Sequence, residues 1–216
     1  IPVVDYLEMG YLPQALLNAI CLCGWNPGTE QEIFSREELE KIFDFEKVQK
    51  SGAVFGEDKL NWFNREYIKP LSTEEFWSCA DTWIPEKYKS SEILKKLESI
   101  LRDRIEKFKD LKDLFEQGEL DYFFEAPKVD DKILAWKDST LPKAHEYLKE
   151  VSTLLEKLGD WKYQSIKDAV WPYAEKEGRG HVLWPMRVAL SGREKSPDPF
   201  ELASILGKAE TLKRLE

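Results

Sequence analysis

The residues able to do chemistry are few and scattered. Two histidines, His145 and His181, fall on different expected helices, and neither has a second His or Cys at metal-ligand spacing. Cys21 and Cys23 are separated by one residue rather than the two of a redox pair. Set among Leu16, Leu17, Ile20 and Leu22, they read, with Cys79, as buried and inert thiols. Acidic pairs such as Glu37/Glu38, Asp121/Glu125 and Asp130/Asp131 recur, but among 41 carboxylates such neighbours arise by chance and define no acid–base couple. Gly178-Arg179-Gly180 has neither a dinucleotide fingerprint nor the Gly-Lys-Ser/Thr of a phosphate loop, and it reads as a turn. No catalytic, cofactor or metal site assembles. What remains is the chemistry of Arg and Lys toward phosphate, and of guanidinium, hydroxyl and proline groups toward unpaired bases.

That chemistry has to survive an acidic total. The chain of 216 residues carries a net charge of −9 with 34% charged residues. Residues 1–69 hold 7 basic and 12 acidic side chains and residues 70–178 hold 18 and 24, whereas residues 179–216 hold 7 and 5, a local net of +2. Phosphate contact depends on cations within a Debye length, so the C-terminal stretch stays open as a nucleic-acid surface, with a solvated helical face as the plainer alternative. Charged residues interrupt every apolar stretch and no leader opens the chain, so a soluble protein is expected. Three unpaired cysteines fit a reducing compartment, the cytoplasm or an organelle matrix. The opening Ile1-Pro2 suggests a piece of something longer.

The elements that must position these groups are helical. Leu94, Leu97, Ile100, Leu101, Ile105, Phe108, Leu111 and Phe115 fall three or four apart and predict one long helix from Ser91 to Phe115. A second helix follows Thr140 and Pro142 and stops before Gly159. Ser35-Arg-Glu-Glu38 and Ser72-Thr-Glu-Glu75 match the capping box, and Asp198-Pro199 places proline at the first helical position. No sustained two-residue alternation is present, so the fold class is all-α. Breaks are expected at Lys69-Pro70 and near Gly178, and no repeat of solenoid period is found.

Several of these segments carry a family signature. Val4-Asp5-Tyr6-Leu7-Glu8-Met9-Gly10-Tyr11-Leu12-Pro13-Gln14-Ala15-Leu16-Leu17-Asn18 resembles the stretch after the lysine-rich ATP-site loop of bacterial-type glutamyl-tRNA synthetases, with Gln14 in place of the usual glutamate. Leu22 to Pro27, Phe43 to Phe55, Lys59 to Ile68, Leu183 to Gly192, Ser196-Pro197, Leu206 to Lys208 and Leu212 to Leu215 follow in family order, while between residues 70 and 178 only scattered positions match. The resemblance implies a helical stem-contact domain (1–69) and a helical anticodon-binding domain (70–216) of two subdomains, 70–160 and 161–216. The implied partner is tRNA(Glu), with no DNA and no membrane. The parent would be a glutamate–tRNA ligase. Its ATP and magnesium would belong to an upstream catalytic domain whose two ATP-site signatures are missing here, so this chain alone is expected to bind rather than to charge tRNA.

The resemblance also assigns residues. Arg187 matches an anticodon-contacting arginine, and Ser196 and Pro197 match a loop that lies against an anticodon base; the alternatives are a loop-bracing arginine and a plain helix cap. Arg104 falls where members restricted to glutamate tRNA carry an arginine near the third anticodon base, the alternative being a solvated helix face with a Glu98–Arg102 pair. Lys47, Lys50 and Lys59 are phosphate-contact candidates in the stem domain, and Trp25 and Trp62 are expected in the core. A competing function, a helical protein–protein interaction module, would use exposed Trp77 and Trp83.

Overall fold

The computed structural model describes residues 2–49 and 55–216. Helices account for its regular structure, and the described residues contain no strand beyond an isolated antiparallel bridge between Trp25 and Val48. The chain forms two compact units that alternate along the sequence, residues 1–90 with 98–117, and residues 91–97 with 118–216. The first holds α1 (Val3–Glu8), α2 (Pro13–Gly24), α3 (Arg36–Ile42), α4 (Glu57–Ile68), α5 (Thr73–Ala80) and α6 (Glu86–Lys89). After α7 (Glu92–Lys96), which belongs to the second unit, α8 (Glu98–Arg104) and α9 (Lys109–Glu116) return to the first. The second continues with α10 (Asp121–Phe124), α11 (Asp131–Leu134), α12 (Leu141–Glu156), α13 (Tyr163–Glu177), α14 (Arg179–Ser191), α15 (Pro199–Leu206) and α16 (Lys208–Leu215).

In the first unit α2 packs on α4 through Leu16, Ala19, Leu60 and Phe63, while Trp25, Phe34 and Leu39 form a second cluster. Two buried asparagines hold the loops to these helices. Asn18 accepts from Phe34 N (3.0 Å) and the Tyr67 hydroxyl (3.0 Å) and donates to Glu32 O (2.8 Å). Asn64 accepts from Leu12 N (2.8 Å) and donates to Glu106 O (2.6 Å). A buried amide in each case replaces the water that loop backbone would otherwise need. Both capping boxes form, at Ser35/Glu38 and Ser72/Glu75.

The long helix expected over Ser91–Phe115 is three helices, α7, α8 and α9. The apolar spacing is right, since Ile105, Phe108, Leu111 and Phe115 are all buried, but backbone bonding is diverted at residues 105–108. Asp110 accepts from the N–H groups of Glu106 (2.8 Å) and Lys107 (3.0 Å), and Phe108 N donates to Gly10 O (3.1 Å). These bonds consume donors that a continuous helix would direct four residues back. Gly10 permits the contact: its φ is +82°, and an added Cβ would lie 2.8 Å from Lys109 N.

In the second unit α14 packs against α12, α13 and α15 around Val151, Ile166, Val170, Val182, Met186 and Leu202. Only Gly178, at φ +102°, separates α13 from α14, so the expected turn is one residue wide and Arg179 and Gly180 already lie in the helix. Gly180 leaves room for Trp136, whose indole nitrogen lies 2.4 Å from where a Cβ would be. The helix after Thr140 ends at Glu156, and Lys208 Nζ donates to the late carbonyls of Glu156 (2.7 Å) and Leu158 (2.8 Å), which places a cation at the negative end of the dipole.

Candidate RNA interface

α14, the turn after it and the start of α15 carry three of the residues singled out from the sequence. Arg187 sits one turn before the end of α14 and is half-buried; its Nε is buried with no hydrogen-bond partner among the described residues. Ser191 Oγ donates to Arg187 O (2.8 Å) and accepts from Arg193 N (3.2 Å), and Gly192, at φ +68°, ends the helix in the left-handed conformation favoured by glycine. Ser196 and Pro197 follow, both half-buried, with Ser196 Oγ donating to Pro197 O (3.2 Å). Asp198 accepts from Phe200 N (2.9 Å) and Glu201 N (3.1 Å), fixing the end of the loop as the cap of α15.

Two arginines that sequence reasoning passed over build this turn. Arg193 donates to Gly118 O (2.6 Å) and Glu119 (3.2 Å), with its guanidinium over the Tyr122 ring. Arg214, with a side chain only 5% exposed, donates to Tyr122 O (2.6 Å) and Leu190 O (2.7 Å) and pairs with Glu210 at 2.7 Å. The only sequence signal for Arg214 is its place in the closing Leu212–Leu215 motif, and the only one for Arg193 is its place after a helix-ending glycine.

The other candidates lie in the first unit, apart from this turn in the chain. Arg104 is half-buried at the end of α8. Its neighbour Arg102 takes the structural part, bonded to Glu98 (2.7 Å), Ile68 O (2.7 Å) and Ser72 O (3.1 Å) and stacked over Phe76. Lys47 is exposed on a single 3-10 turn, Phe45–Lys47. Lys59, on α4, is exposed and pairs with Glu32. Lys50 lies outside the described residues.

Three expectations about side chains are corrected. Trp25 is core, at 3% exposed, but Trp62 on α4 is 41% exposed, with its ring against Phe63. Trp77 and Trp83 are half-buried rather than exposed, and Trp77 Nε1 donates to Glu98 (3.0 Å). Cys21, Cys23 and Cys79 are half-buried rather than buried; desolvation still pushes the Cys21 and Cys79 thiols up from their ordinary value, which keeps them protonated at neutral pH. His145 is exposed, and His181 lies 3.3 Å from Asp138, whose carboxyl its hydrogen bond holds below the usual range.

Among the described residues no group of three His, Cys, Asp or Glu could hold a metal ion, and no helix is long and apolar enough to cross a membrane. An all-α chain in which Arg193 and Arg214 brace the end of one long helix is, by fold, a helical module. Its residues 66–216 match the model of the anticodon binding domain, and residues 2–62 match that of the catalytic domain of class I tRNA synthetases (E and Q). The chain belongs to the anticodon binding domain family, preceded by a short class I synthetase segment. It is 37% identical to the glutamate–tRNA ligase of Clostridium acetobutylicum and 39% identical to that of Clostridium novyi, with 98% of this chain covered in each. The chain spans 44% of the length of either relative. The solved structure of a glutamate tRNA ligase from Elizabethkingia meningosepticum in complex with its amino acid matches with a TM-score of 0.79 and 33% identity, over 97% of this chain and 41% of that one.

Proposed function

We propose that this chain is the RNA-holding part of a glutamate–tRNA ligase. Residues 1–69 lie on the stem of tRNA(Glu), and residues 70–216, as subdomains 70–160 and 161–216, lie on its anticodon loop in the cytoplasm. Activation of glutamate with ATP and magnesium is the work of the remainder of the ligase, so binding by this chain needs neither. The observation that carries the reading is Arg187: a guanidinium within the anticodon-binding segment, held on a rigid helix with its buried Nε unsatisfied. A buried polar group without a partner is costly, by about 1–3 kcal/mol, and a base edge or phosphate oxygen at that point would relieve the cost. The adjoining Ser196 and Pro197 supply a hydroxyl and a flat apolar ring for an unpaired base. Arg104 favours cytosine's carbonyl at the third anticodon position, and Lys47, Lys50 and Lys59 meet stem phosphates, Lys59 by exchanging its Glu32 partner.

The test is a fluorescence-anisotropy titration with tRNA(Glu) and with the same tRNA carrying a replaced anticodon, at two salt concentrations. Binding is expected to weaken with salt, by about 0.7–0.9 log units per phosphate contact for each log unit of salt, and to weaken again with the anticodon change. Arg187→Gln is expected to weaken binding about 10-fold and to shrink the difference between the two tRNAs, the scale of one lost bidentate base contact. Equal affinity for both anticodons, or an unchanged affinity in the variant, would overturn the reading.

A further inference from the structure

The turn between α11 and α12 is held in a conformation that its own residues do not favour. Lys137, at φ +40°, is the one residue other than glycine with a left-handed backbone among the described residues. The Ser139 hydroxyl is buried with no partner among the described residues, although Ser139 N closes the turn on Trp136 O (2.7 Å). Both costs have to be offset from outside the turn, and α14 makes the contacts that do so. The Trp136 ring lies against that of Trp184, with centroids 4.8 Å apart, and fills the notch at Gly180, where any Cβ would overlap its indole nitrogen. Trp184 Nε1 in turn donates to Ile133 O (2.7 Å) on α11. Asp138 Oδ1 lies 3.3 Å from His181 Nε2.

The surroundings of His181 make the last of these contacts depend on charge. Its other ring nitrogen, Nδ1, lies 3.3 Å from Glu177 O, in a corner where a Cβ on Gly178 would come within 2.8 Å of the same nitrogen. Both partners are oxygens that can only accept, and a neutral imidazole has a single N–H to give. Only the imidazolium serves both at once. When it loses a proton to solvent, one nitrogen turns a lone pair toward an oxygen and that contact opens. The Asp138 side chain is 83% exposed and can turn to water, whereas Glu177 O is fixed in the backbone, so the contact that opens is the one to Asp138. The remaining groups around the ring are Tyr147 of α12, stacked on it at 6.2 Å, and Lys143, which lies over Tyr147 and pairs with Glu146. From α13 come Tyr173 and the Glu177 carboxylate paired with Lys176, from the turn Lys137 over the Trp136 ring, and from α14 itself Arg179 paired with Glu175. Phenols, amines, guanidinium groups and carboxylates ordinarily titrate well away from neutrality, and the His181 hydrogen bond keeps Asp138 ionised by holding its carboxyl below the usual range. We infer that residues 136–139 are a pH-sensitive strap, closed on the first turn of α14 by the His181 imidazolium and released from it when the ring is neutral. Its stabilisation is present at the acid end and lost as pH rises, when release relieves the Lys137 backbone and admits water to Ser139.

The test follows the Trp136 indole proton of the whole chain by NMR between about pH 5.5 and 8.5, a range that spans the usual charge change of histidine. The signal is assigned by its loss in Trp136→Phe. It is expected to move together with the imidazole signals of His181, not with those of His145, and to stand still in Asp138→Asn and His181→Gln. Thermal melts supply a second reading: the wild-type midpoint is expected to exceed that of Asp138→Asn by about 1–2 °C at the acid end and to equal it at the alkaline end, the scale of one exposed ion pair in a chain of this size. Because Asp138 is exposed, that variant tests the strap even where His181→Gln fails to fold. A wild-type indole signal that ignores pH or follows His145, movement that persists in folded Asp138→Asn, or a midpoint difference equal at both ends overturns the inference.

Discussion

Arg102 and Arg214 spend their N–H groups on carbonyls and carboxylates, whereas the Nε of Arg187 lies buried without a partner among the described residues. The contrast separates arginines that build from one whose buried nitrogen is left without a partner. Arg214→Leu is therefore expected to destabilise the chain by about 3–5 kcal/mol, since it strands Glu210 and two carbonyls, and a shift of the urea midpoint measures it. A loss under about 1 kcal/mol would mean that water replaces the guanidinium. The sequence singled out Arg187 by resemblance alone, and the building roles of the others were not legible in it. Arg187, Arg193 and Arg214 all fall in the basic C-terminal stretch, and which of them meets carbonyls depends on α10 and its flanks, which lie about 70 to 90 residues earlier. Cys21 teaches the same lesson more mildly: its apolar neighbours in sequence were read correctly, but α2 leaves Leu17 and Ile20 40% and 49% exposed, and the thiol stays half-buried.

At the scale of elements, local signals were reliable where the chain closes its own hydrogen bonds. Both capping boxes and the Asp198-Pro199 start are in place, because each needs only four consecutive residues. The stretch 91–115 shows where such signals run out: its apolar spacing sets which side chains are buried, while Gly10, Asn64 and Asp110 decide that the backbone is not one helix. Gly10→Ala tests that arrangement. The left-handed backbone alone costs about 1–2 kcal/mol with a Cβ, and the approach of Lys109 N adds to it, so a lowered midpoint in a thermal melt is expected. An unchanged midpoint would show that the 105–108 segment is held by its apolar side chains alone. The family signature at Gly10-Tyr11-Leu12-Pro13 thus has a packing basis as well as a place in the order of motifs.

At the scale of the whole molecule, the acidic total and the local basic stretch coexist without conflict. A net charge of −9 disfavours indiscriminate adhesion to polyanions, and the cations that remain are placed by bonds rather than by number. All-α class and the family could be read from the sequence. The compact units could not, because residues 91–97 and 98–117 change sides over a few residues. Fragments comprising residues 1–90 and 1–117 measure this: the longer is expected to melt cooperatively by circular dichroism, and the shorter to lack a cooperative transition. Equal melts would mean that α8 and α9 are accessory to the first unit.

The bond between Phe108 N and Gly10 O has a consequence in time. A ribosome makes the chain from one end, and Gly10 emerges roughly 5–20 seconds before its partner at synthesis rates of 5–20 residues per second. In the later part of that interval α2 and α4 are both present, while Asn64 still lacks the carbonyl of Glu106. Connectivity thus sets an order on the nascent chain: the Gly10–Phe108 and Asn64–Glu106 bonds can close only after residues 106–108 have left the exit tunnel.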